Sequence, residues 1–325
     1  MFMDASEHLL LMDLHKVNNQ MMNEDELKAL FDAGIHTAQI CYVYWHKIEP
    51  IEGQYDWSEL DQRIEILNRI GFKVMPMCYT EPAQYFSDDY FVNNGNGPLR
   101  GVLSPWNKNA QEASLNFIKT MKEHCNSSMC MVINGCLVMG ETPFPHGFNW
   151  FDPEALKSFE ERWLTLDRPS ANEDRTEIWM KETIVNMKLA ENKILADTEW
   201  NEVWSMIHPE IAAQKHLYGN GCKFIDDIYS AYKREILNVQ ISQIWYTFVQ
   251  HTRQFETYKR LIRQFNLNAF GGAEYCEGLE KNAPQAMRLG FNGLIISPLH
   301  PFTNYLTIES WMIKNIKTTI NIWRK

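Results

Sequence analysis

The sequence predicts a single (β/α)8 barrel, and three observations support this. Apolar runs of strand length alternate with segments of helical periodicity, and this unit occurs eight times over about 300 residues. Such alternation predicts a parallel sheet, and eight units are the number that closes it into a barrel. No linker rich in Pro, Ser or Gly interrupts residues 1–325, which predicts one domain. A doubly wound open sheet is the alternative, but the Gly-rich phosphate turn that usually follows its first strand is missing here.

The first half of the chain supplies four predicted strands, each a mainly apolar run, and the second of them is also rich in β-branched and aromatic residues. Asn23 caps the first helix, and Gly34 and Gly71 end the first two helices. A long loop, residues 81–106, follows the third strand, and a loop of this length in a compact domain is usually functional. The predicted strands are 9–14, 37–44, 72–78 and 129–138, and the predicted helices are 23–31, 59–70 and 110–124.

The second half supplies the other four strands. Asp152 and Pro153 open the next helix, because proline is tolerated in the first helical turn. Residues 167–175 are polar and are expected to be exposed. The predicted strands are 202–207, 239–249, 269–273 and 293–296, and the later predicted helices are 177–196, 224–236, 255–265, 283–289 and 310–322.

The composition argues against some kinds of binding partner and indicates the cellular compartment. The net charge is −10, from 41 acidic and 31 basic residues, and no basic block stands out, so nucleic acid and anionic membranes are poor partners. The seven cysteines are odd in number and form no C-x-x-C pair, which is typical of reduced core thiols such as Cys41, Cys78 and Cys136. No signal-peptide pattern opens the sequence, and no run approaches the ~20 apolar residues of a membrane span. We therefore expect a cytoplasmic protein that acts without a metal or other cofactor.

Chemistry in such barrels takes place at the carboxyl ends of the strands, and here nearly every strand delivers a polar or aromatic residue to that edge. A single histidine in such a place is more often structural. The evidence for a functional site is that so many of these residues fall at the ends of successive strands. Aromatic rings near strand ends suit sugar stacking, although core packing is the commoner role for any one of them. The candidate substrate-binding residues are His15, Trp45, Tyr79, Glu81, His208, Trp245, His251 and His300.

Two carboxylates, Glu141 and Glu274, stand at the ends of apolar strands. A carboxylate in such a place is costly unless it is used. Hydrolysis of a glycosidic bond needs two carboxyl groups: one protonates the leaving oxygen, and the other attacks the sugar or activates water. The fourth and seventh strands of an eight-stranded barrel lie on opposite sides, so we expect the two side chains to face each other. Glu81 and Glu277 are the alternative candidates for a catalytic carboxylate. We expect Glu81 to line the pocket and Glu277 to be exposed to solvent.

Several segments resemble barrel glycoside hydrolases of the clan-A type. Residues 33–35 (Ala-Gly-Ile) and 44–58 (Tyr-Trp-His-Lys-Ile-Glu-Pro-Ile-Glu-Gly-Gln-Tyr-Asp-Trp-Ser), completed by Asp61, resemble the second-strand signature of barrel β-galactosidases and, more loosely, of β-amylases. Gly140-Glu141 and its Pro-rich aromatic tail are similar to the β-amylase fourth-strand motif. Residues 14–18 resemble the β-amylase first strand, with His15 where an Asp is expected.

The resemblance implies a glycoside hydrolase in which Glu141 is the general acid and Glu274 the nucleophile or base. Residues 271–275 (Gly-Gly-Ala-Glu-Tyr) are similar in position to the strand-seven motif of these enzymes. Related retaining families place an Asn before the acid/base, and Gly140 stands there instead. Retention of configuration is favoured, and inversion stays open because the sequence gives no distance between the two carboxyls.

Three other functions fit parts of the pattern. A metal-dependent barrel hydrolase would use His15, His208, His251 and His300 as converging ligands, although no Asp ends the eighth strand. A non-catalytic sugar-binding barrel would not depend on Glu141 for any activity. A transglycosylase would use the same two carboxylates as the hydrolase, and sequence alone does not separate the two.

Overall fold

The structure is a computed structural model, and it describes a set of ranges that covers every strand of the barrel. These ranges are residues 8–13, 15–79, 82–93, 97–125, 131–133, 153–165, 175–196, 203–207, 225–235, 241–244, 255–301 and 303–324.

Eight parallel strands form a closed barrel, and a two-stranded antiparallel hairpin lies outside it. Each barrel strand pairs with two neighbours, and β1 closes the ring by pairing with β10 on one side and β2 on the other. The ring order is β1-β10-β9-β8-β7-β6-β3-β2. The strands are β1 Leu9–Asp13, β2 Thr37–Tyr44, β3 Lys73–Tyr79, β4 Phe91–Asn93, β5 Pro98–Leu103, β6 Met131–Ile133, β7 Val203–Ile207, β8 Ile241–Ile244, β9 Asn268–Glu274 and β10 Gly293–Ile296; β4 and β5 form the hairpin.

Helices follow the barrel strands, as the alternating sequence pattern predicts. The described helices are α1 Glu24–Asp32, α2 Trp45–Ile48, α3 Ser58–Ile70, α4 Lys108–His124, α5 Pro153–Thr165, α6 Arg175–Ala196, α7 Ile225–Glu235, α8 Phe255–Phe265, α9 Leu279–Leu289 and α10 Ser310–Trp323. Within the ranges above, no helix is both long and apolar enough to cross a membrane.

The barrel prediction is confirmed, with β2, α8 and β10 at the predicted bounds. Two features were not predicted. The short helix α2 begins directly after β2, where only a strand end was expected. The hairpin β4–β5 lies inside the loop predicted over residues 81–106; β4, at three residues, is too short to show a periodicity. Of the predicted strands 129–138 and 239–249, the described part is β6 and β8.

Side chains alternate between the barrel interior and the layer that the helices cover. Leu9 and Leu11 of β1 belong to the large apolar cluster under the helices. The intervening Leu10 and Met12 are equally buried but register with Ile295 and Gln39 of the neighbouring strands. Laterally paired residues of parallel strands face the same side, so these four fill the barrel interior, which is a packed core rather than a pore.

A buried ion pair joins the first strand to the helical layer. Asp13, the last residue of β1, is fully buried, and Arg63 of α3 donates from Nε to its Oδ2 at 2.5 Å and from Nη2 to its Oδ1 at 2.6 Å. The remaining terminal nitrogen, Nη1, donates to the Met22 carbonyl at 2.9 Å. Burial raises the pKa of Asp13, and the guanidinium of Arg63 opposes that change. The pair therefore fixes the carboxyl end of β1 against α3.

A second buried ion pair connects α1 to the segment that precedes α10. Lys16 donates from Nζ to both carboxylate oxygens of Glu26 at 2.7 Å and to the Leu306 carbonyl at 2.9 Å. The carboxylate of Glu26 also accepts from the Asn23 backbone N–H at 2.8 Å, which completes the capping box of α1. One lysine thus holds the start of α1 against the segment that leads into α10.

Candidate active site

The carboxyl ends of the eight parallel strands meet at one edge of the barrel, and the predicted site residues follow those ends. Five of them, Glu81, Glu141, His208, Trp245 and His251, lie outside the described residues. Tyr79 and Glu274 are the last residues of β3 and β9, whose backbone the structure describes. His15, Trp45 and His300 are described in full.

Glu274 stands at an irregular point of β9. Ile295 of β10 pairs with Gly272 but Ile296 pairs with Glu274, so β9 carries one extra residue at Ala273, a β-bulge. The next backbone N–H, that of Tyr275, donates to the Ala273 carbonyl and closes a γ-turn centred on Glu274. Bulges are over-represented beside active sites, where they redirect a strand end.

The strand that leads to Glu141 lies three places from β9 in the ring. On one side β7 and β8 separate β6 from β9, and on the other side β10, β1, β2 and β3 do so. The two strands are therefore nearly opposite rather than directly opposite. Glu141 itself follows β6 by eight residues, outside the described residues.

His300 lies in the segment after β10, beside the residue that follows Glu274. It is buried, and its ring meets the ring of Tyr275 edge-on with centroids 5.4 Å apart. Its carbonyl accepts from both the backbone N–H and the hydroxyl of Thr303, each at 2.8 Å. Burial lowers the pKa of His300 to about 4. A neutral imidazole therefore supports the Glu274–Tyr275 turn from the next loop.

This burial predicts an acid-dependent loss of stability. The unfolded chain takes up a proton on His300 near the ordinary pKa of ~6.5, whereas the folded protein does so only near pH 4, so lowering the pH through this window favours unfolding. We expect His300 to contribute on the order of 1 kcal/mol to the fall in unfolding free energy between pH 7 and pH 5. Urea unfolding of wild type and His300→Gln at both pH values measures it.

The exposed His36 provides the control for that experiment. His36→Gln should keep the wild-type fall in stability, while His300→Gln should show a smaller one. Equal falls in the wild type and His300→Gln would mean that the imidazole of His300 is not held neutral in the fold.

Trp45 does not take the sugar-binding place expected of it. Its side chain is 1% exposed, its ring stacks on Phe117 at 4.8 Å, and it meets Phe86 edge-on at 5.2 Å. The reason is local: α2 begins at Trp45, and its indole N–H donates to Glu49 one turn later at 2.6 Å. Trp45 is therefore a core residue, and no face of its ring is open to a sugar.

Glu49, in the segment that resembles the second-strand signature, organises the rim next to β2. Its carboxylate is buried and accepts from the Trp45 indole and from the Gly53 backbone N–H at 2.8 Å. The hydroxyls of Tyr55 and Tyr85 also share hydrogen bonds with it. Burial raises the pKa of the Tyr85 hydroxyl, and the nearby Glu49 raises it further. The signature thus builds a rigid rim, a role that the motif alone did not reveal.

Gly53 takes a backbone conformation with φ of +73° that suits glycine, in a turn bridged between Ile51 and Gln54. The Asp56 N–H donates to the Ile48 carbonyl at 2.7 Å, which folds the turn back onto α2. The last acidic residue of the signature is Asp61. Its Oδ1 atom forms a hydrogen bond with Nε2 of His124 in α4, and the two atoms are 2.7 Å apart. These contacts are structural, and they explain why the signature extends far beyond the strand.

Other predicted residues fall at different places. His15 is half-buried and lines a cavity beside β2. Glu277 is exposed in the loop after β9, as expected, and shares a hydrogen bond with Tyr305. Cys41 is a buried free thiol, as expected.

The metal-dependent alternative gains no support from the described part of the chain. There, no group of three or more His, Cys, Asp or Glu side chains lies close enough together to hold a metal ion. Two of the four histidines that it needs, His208 and His251, lie outside the described residues. Asp13, two residues before His15, is occupied by Arg63.

A closed ring of eight parallel strands with helices between them defines a (β/α)8 barrel, and a glutamate stands in a bulged turn at the end of the seventh of these strands. Comparison with solved structures confirms the fold. The catalytic domain of a β-amylase from Paenibacillus polymyxa superposes with a TM-score of 0.75 over 99% of both chains at 11% identity. A β-galactosidase from the psychrophilic Marinomonas ef1 gives a TM-score of 0.62 over 97% of this chain and 59% of that one, also at 11% identity.

Sequence comparison supports the same class over a shorter span. Residues 15–83 match the glycoside hydrolase 42 family, described as β-galactosidase. The β-galactosidase BbgII of Bifidobacterium bifidum is 26% identical over 161 residues, and the match covers 44% of this chain and 22% of that protein. The chain thus matches about a fifth of the length of this curated relative. These findings confirm the resemblance to barrel glycoside hydrolases that the second-strand signature indicates.

Proposed function

We propose that this protein is a retaining glycoside hydrolase of one barrel domain, with Glu274 as nucleophile and Glu141 as acid/base. The observation that carries the proposal is the bulged turn at Glu274, which interrupts a regular barrel strand at the edge where such barrels do chemistry. The match of residues 15–83 to β-galactosidases and the two similar barrels support the choice of reaction.

The mechanism needs two steps. In the first, a Glu274 carboxylate oxygen attacks the anomeric carbon while Glu141 gives its proton to the departing glycosidic oxygen, so that one C–O bond forms as another breaks. In the second, Glu141, now a carboxylate, takes a proton from water, and that water displaces Glu274 from the sugar. Both carboxyl groups end in their starting protonation states, and no cofactor is consumed.

The remaining strand-end residues are proposed to bind the sugar. In the sequence, these residues come at or after the ends of barrel strands, whose carboxyl ends share one edge of the barrel. They are His15, Tyr79, Glu81, His208, Trp245 and His251. His300 supports the site from behind, since its ring is buried against Tyr275. Trp45 is left out of the proposal because its ring is enclosed between Phe86 and Phe117.

A panel of 4-nitrophenyl glycosides tests the function. The purified wild-type chain is incubated with α- and β-linked hexosides and pentosides, beginning with the β-galactoside that the relatives' names suggest. We expect release of nitrophenol from at least one sugar, well above the rate of a Glu274→Gln sample prepared in parallel. Equal rates for the two proteins on every glycoside would contradict the proposed function.

A further inference from the structure

A cavity of about 320 Å³ lies beside β2, outside the described site residues after β9 and β10. Its walls are mainly apolar and come from three elements: Ile40 and Val43 of β2, Ile48 of α2, and Leu60 and Ile66 of α3. This volume is near the lower end of the ~300–1,000 Å³ range of small-molecule sites, so the cavity suits one ring or one short alkyl chain.

The rim of the cavity is polar and carries both signs of charge. Lys47 and Glu59 are exposed there, and His15 and Gln62 add neutral or titratable hydrogen-bonding groups. Arg63 also lines the cavity, but its guanidinium is committed to Asp13. A rim of this kind favours a neutral head group with many hydroxyls over an anion or a cation.

The cavity extends to the carboxyl end of β2, which belongs to the barrel edge that carries the candidate site. His15 follows the end of β1, Tyr44 is the last residue of β2, and Lys47 lies in α2 directly after it, with the Lys47 ammonium 5.2 Å from the Tyr44 ring centre. In the ring, β1 is separated from β9 by β10 alone. A molecule could therefore place a hydroxylated head on this edge and an apolar tail in the cavity.

We propose that this cavity is a secondary binding site for the apolar part of a glycoside, an alkyl chain or a single aromatic ring, while the sugar lies at its polar rim. The choice of ligand rests on the proposed function, and the proposal names a ligand class: glycosides of hydrophobic alcohols. Burial of an alkyl chain against Ile40, Ile48 and Ile66 supplies affinity that a methyl group at the same position cannot.

Two thioglycosides test this without turnover, because sulfur at the glycosidic position resists hydrolysis. Octyl 1-thio-β-D-galactopyranoside, below its micelle concentration, and its methyl counterpart are titrated into the full wild-type chain by calorimetry. We expect the octyl probe to bind at least tenfold more tightly than the methyl probe.

Variants that fill the cavity test whether the tighter binding of the octyl probe takes place there. Ile66→Trp fills the cavity from α3, and Met21→Trp fills it independently from the loop before α1, so one variant remains if the other fails to fold. Asn68→Trp adds the same ring to an exposed position of α3 outside the cavity. The octyl-to-methyl ratio should fall at least fivefold in a folded cavity-filling variant and stay at the wild-type value in Asn68→Trp.

Two results would overturn the proposal: equal binding of the two probes by the wild type, or an unchanged ratio in the folded cavity-filling variants. Failure of the proposed function looks different. A protein that cleaves no aryl glycoside but shows the octyl preference, with its loss in Ile66→Trp or Met21→Trp, would contradict the hydrolase and still support the cavity as an apolar-tail site.

Discussion

Glu274→Gln is expected to lower kcat/KM by roughly 10³-fold or more on every glycoside that the wild type cleaves. The amide cannot form the covalent bond to the sugar, so the loss should not depend on the leaving group. Glu141→Gln should behave differently, because a general acid contributes about 10²–10⁴-fold and matters most when the leaving oxygen is a poor leaving group. The measurement is kcat/KM on a dinitrophenyl glycoside and on the alkyl glycoside of the same sugar.

The leaving-group split distinguishes the two roles. Glu141→Gln should retain most of its first-step rate on the dinitrophenyl substrate and lose it on the alkyl one, while Glu274→Gln should lose both. Glu277→Gln, in the exposed loop three residues after Glu274, is the informative comparison. Loss of all activity in Glu277→Gln, with near-wild-type rates in Glu274→Gln, would move the nucleophile to the loop.

Arg63→Met is expected to destabilise the fold by about 3–5 kcal/mol, which is the usual effect of removing one partner of a buried ion pair. The substitution keeps the length of the side chain but leaves the fully buried Asp13 without its two short hydrogen bonds, and the Met22 carbonyl loses its donor. The unfolding free energy in urea, compared with that of the wild type, measures the effect.

The same helix offers a matched control. Arg69, six residues further along α3, pairs with Glu24 and Glu65, but about half of its side chain is exposed. Arg69→Met should therefore cost no more than ~1 kcal/mol, as surface ion pairs usually do. Similar losses for the two arginines would show that the Asp13 pair is not the buried anchor described above.

The architecture could be predicted from sequence because strands of a parallel barrel are buried on both faces, as every residue of β1 and β10 is here. Such strands are continuous apolar runs in the sequence. For β2 and β10, the predicted ends of these runs are the ends of the strands in the structure. The helices carry their own signals, such as the Asn23–Glu26 capping box of α1 and Gly71, whose φ of +112° ends α3. Local chemistry was sufficient for these elements.

The direction of individual side chains could not be predicted in the same way. Sequence places Trp45 at a strand end, but whether its ring faces the barrel mouth or the helices depends on a bulge between Ile40 and Val43 and on the immediate start of α2. The cavity beside β2 likewise arises only when α3 packs against β2. Contacts between distant segments decide these features, so a single strand pattern does not contain them.

The candidate site shows the same division. Glu274 could be found because an acidic residue ends an apolar run, whereas its bulge and the Tyr275–His300 contact became visible only when β9 and β10 paired. The role of Glu141 stays a prediction, and the ring order places its strand, β6, three places from β9.

The covalent intermediate is the most direct test of the central claim. A 2-deoxy-2-fluoro glycoside with an activated leaving group, built on the sugar that the panel identifies, should inactivate the wild type, and mass spectrometry of its peptides should find one sugar attached at Glu274. Labelling of another residue, or turnover with inverted product and no adduct, would contradict the assignment of Glu274 as the nucleophile of a retaining glycoside hydrolase.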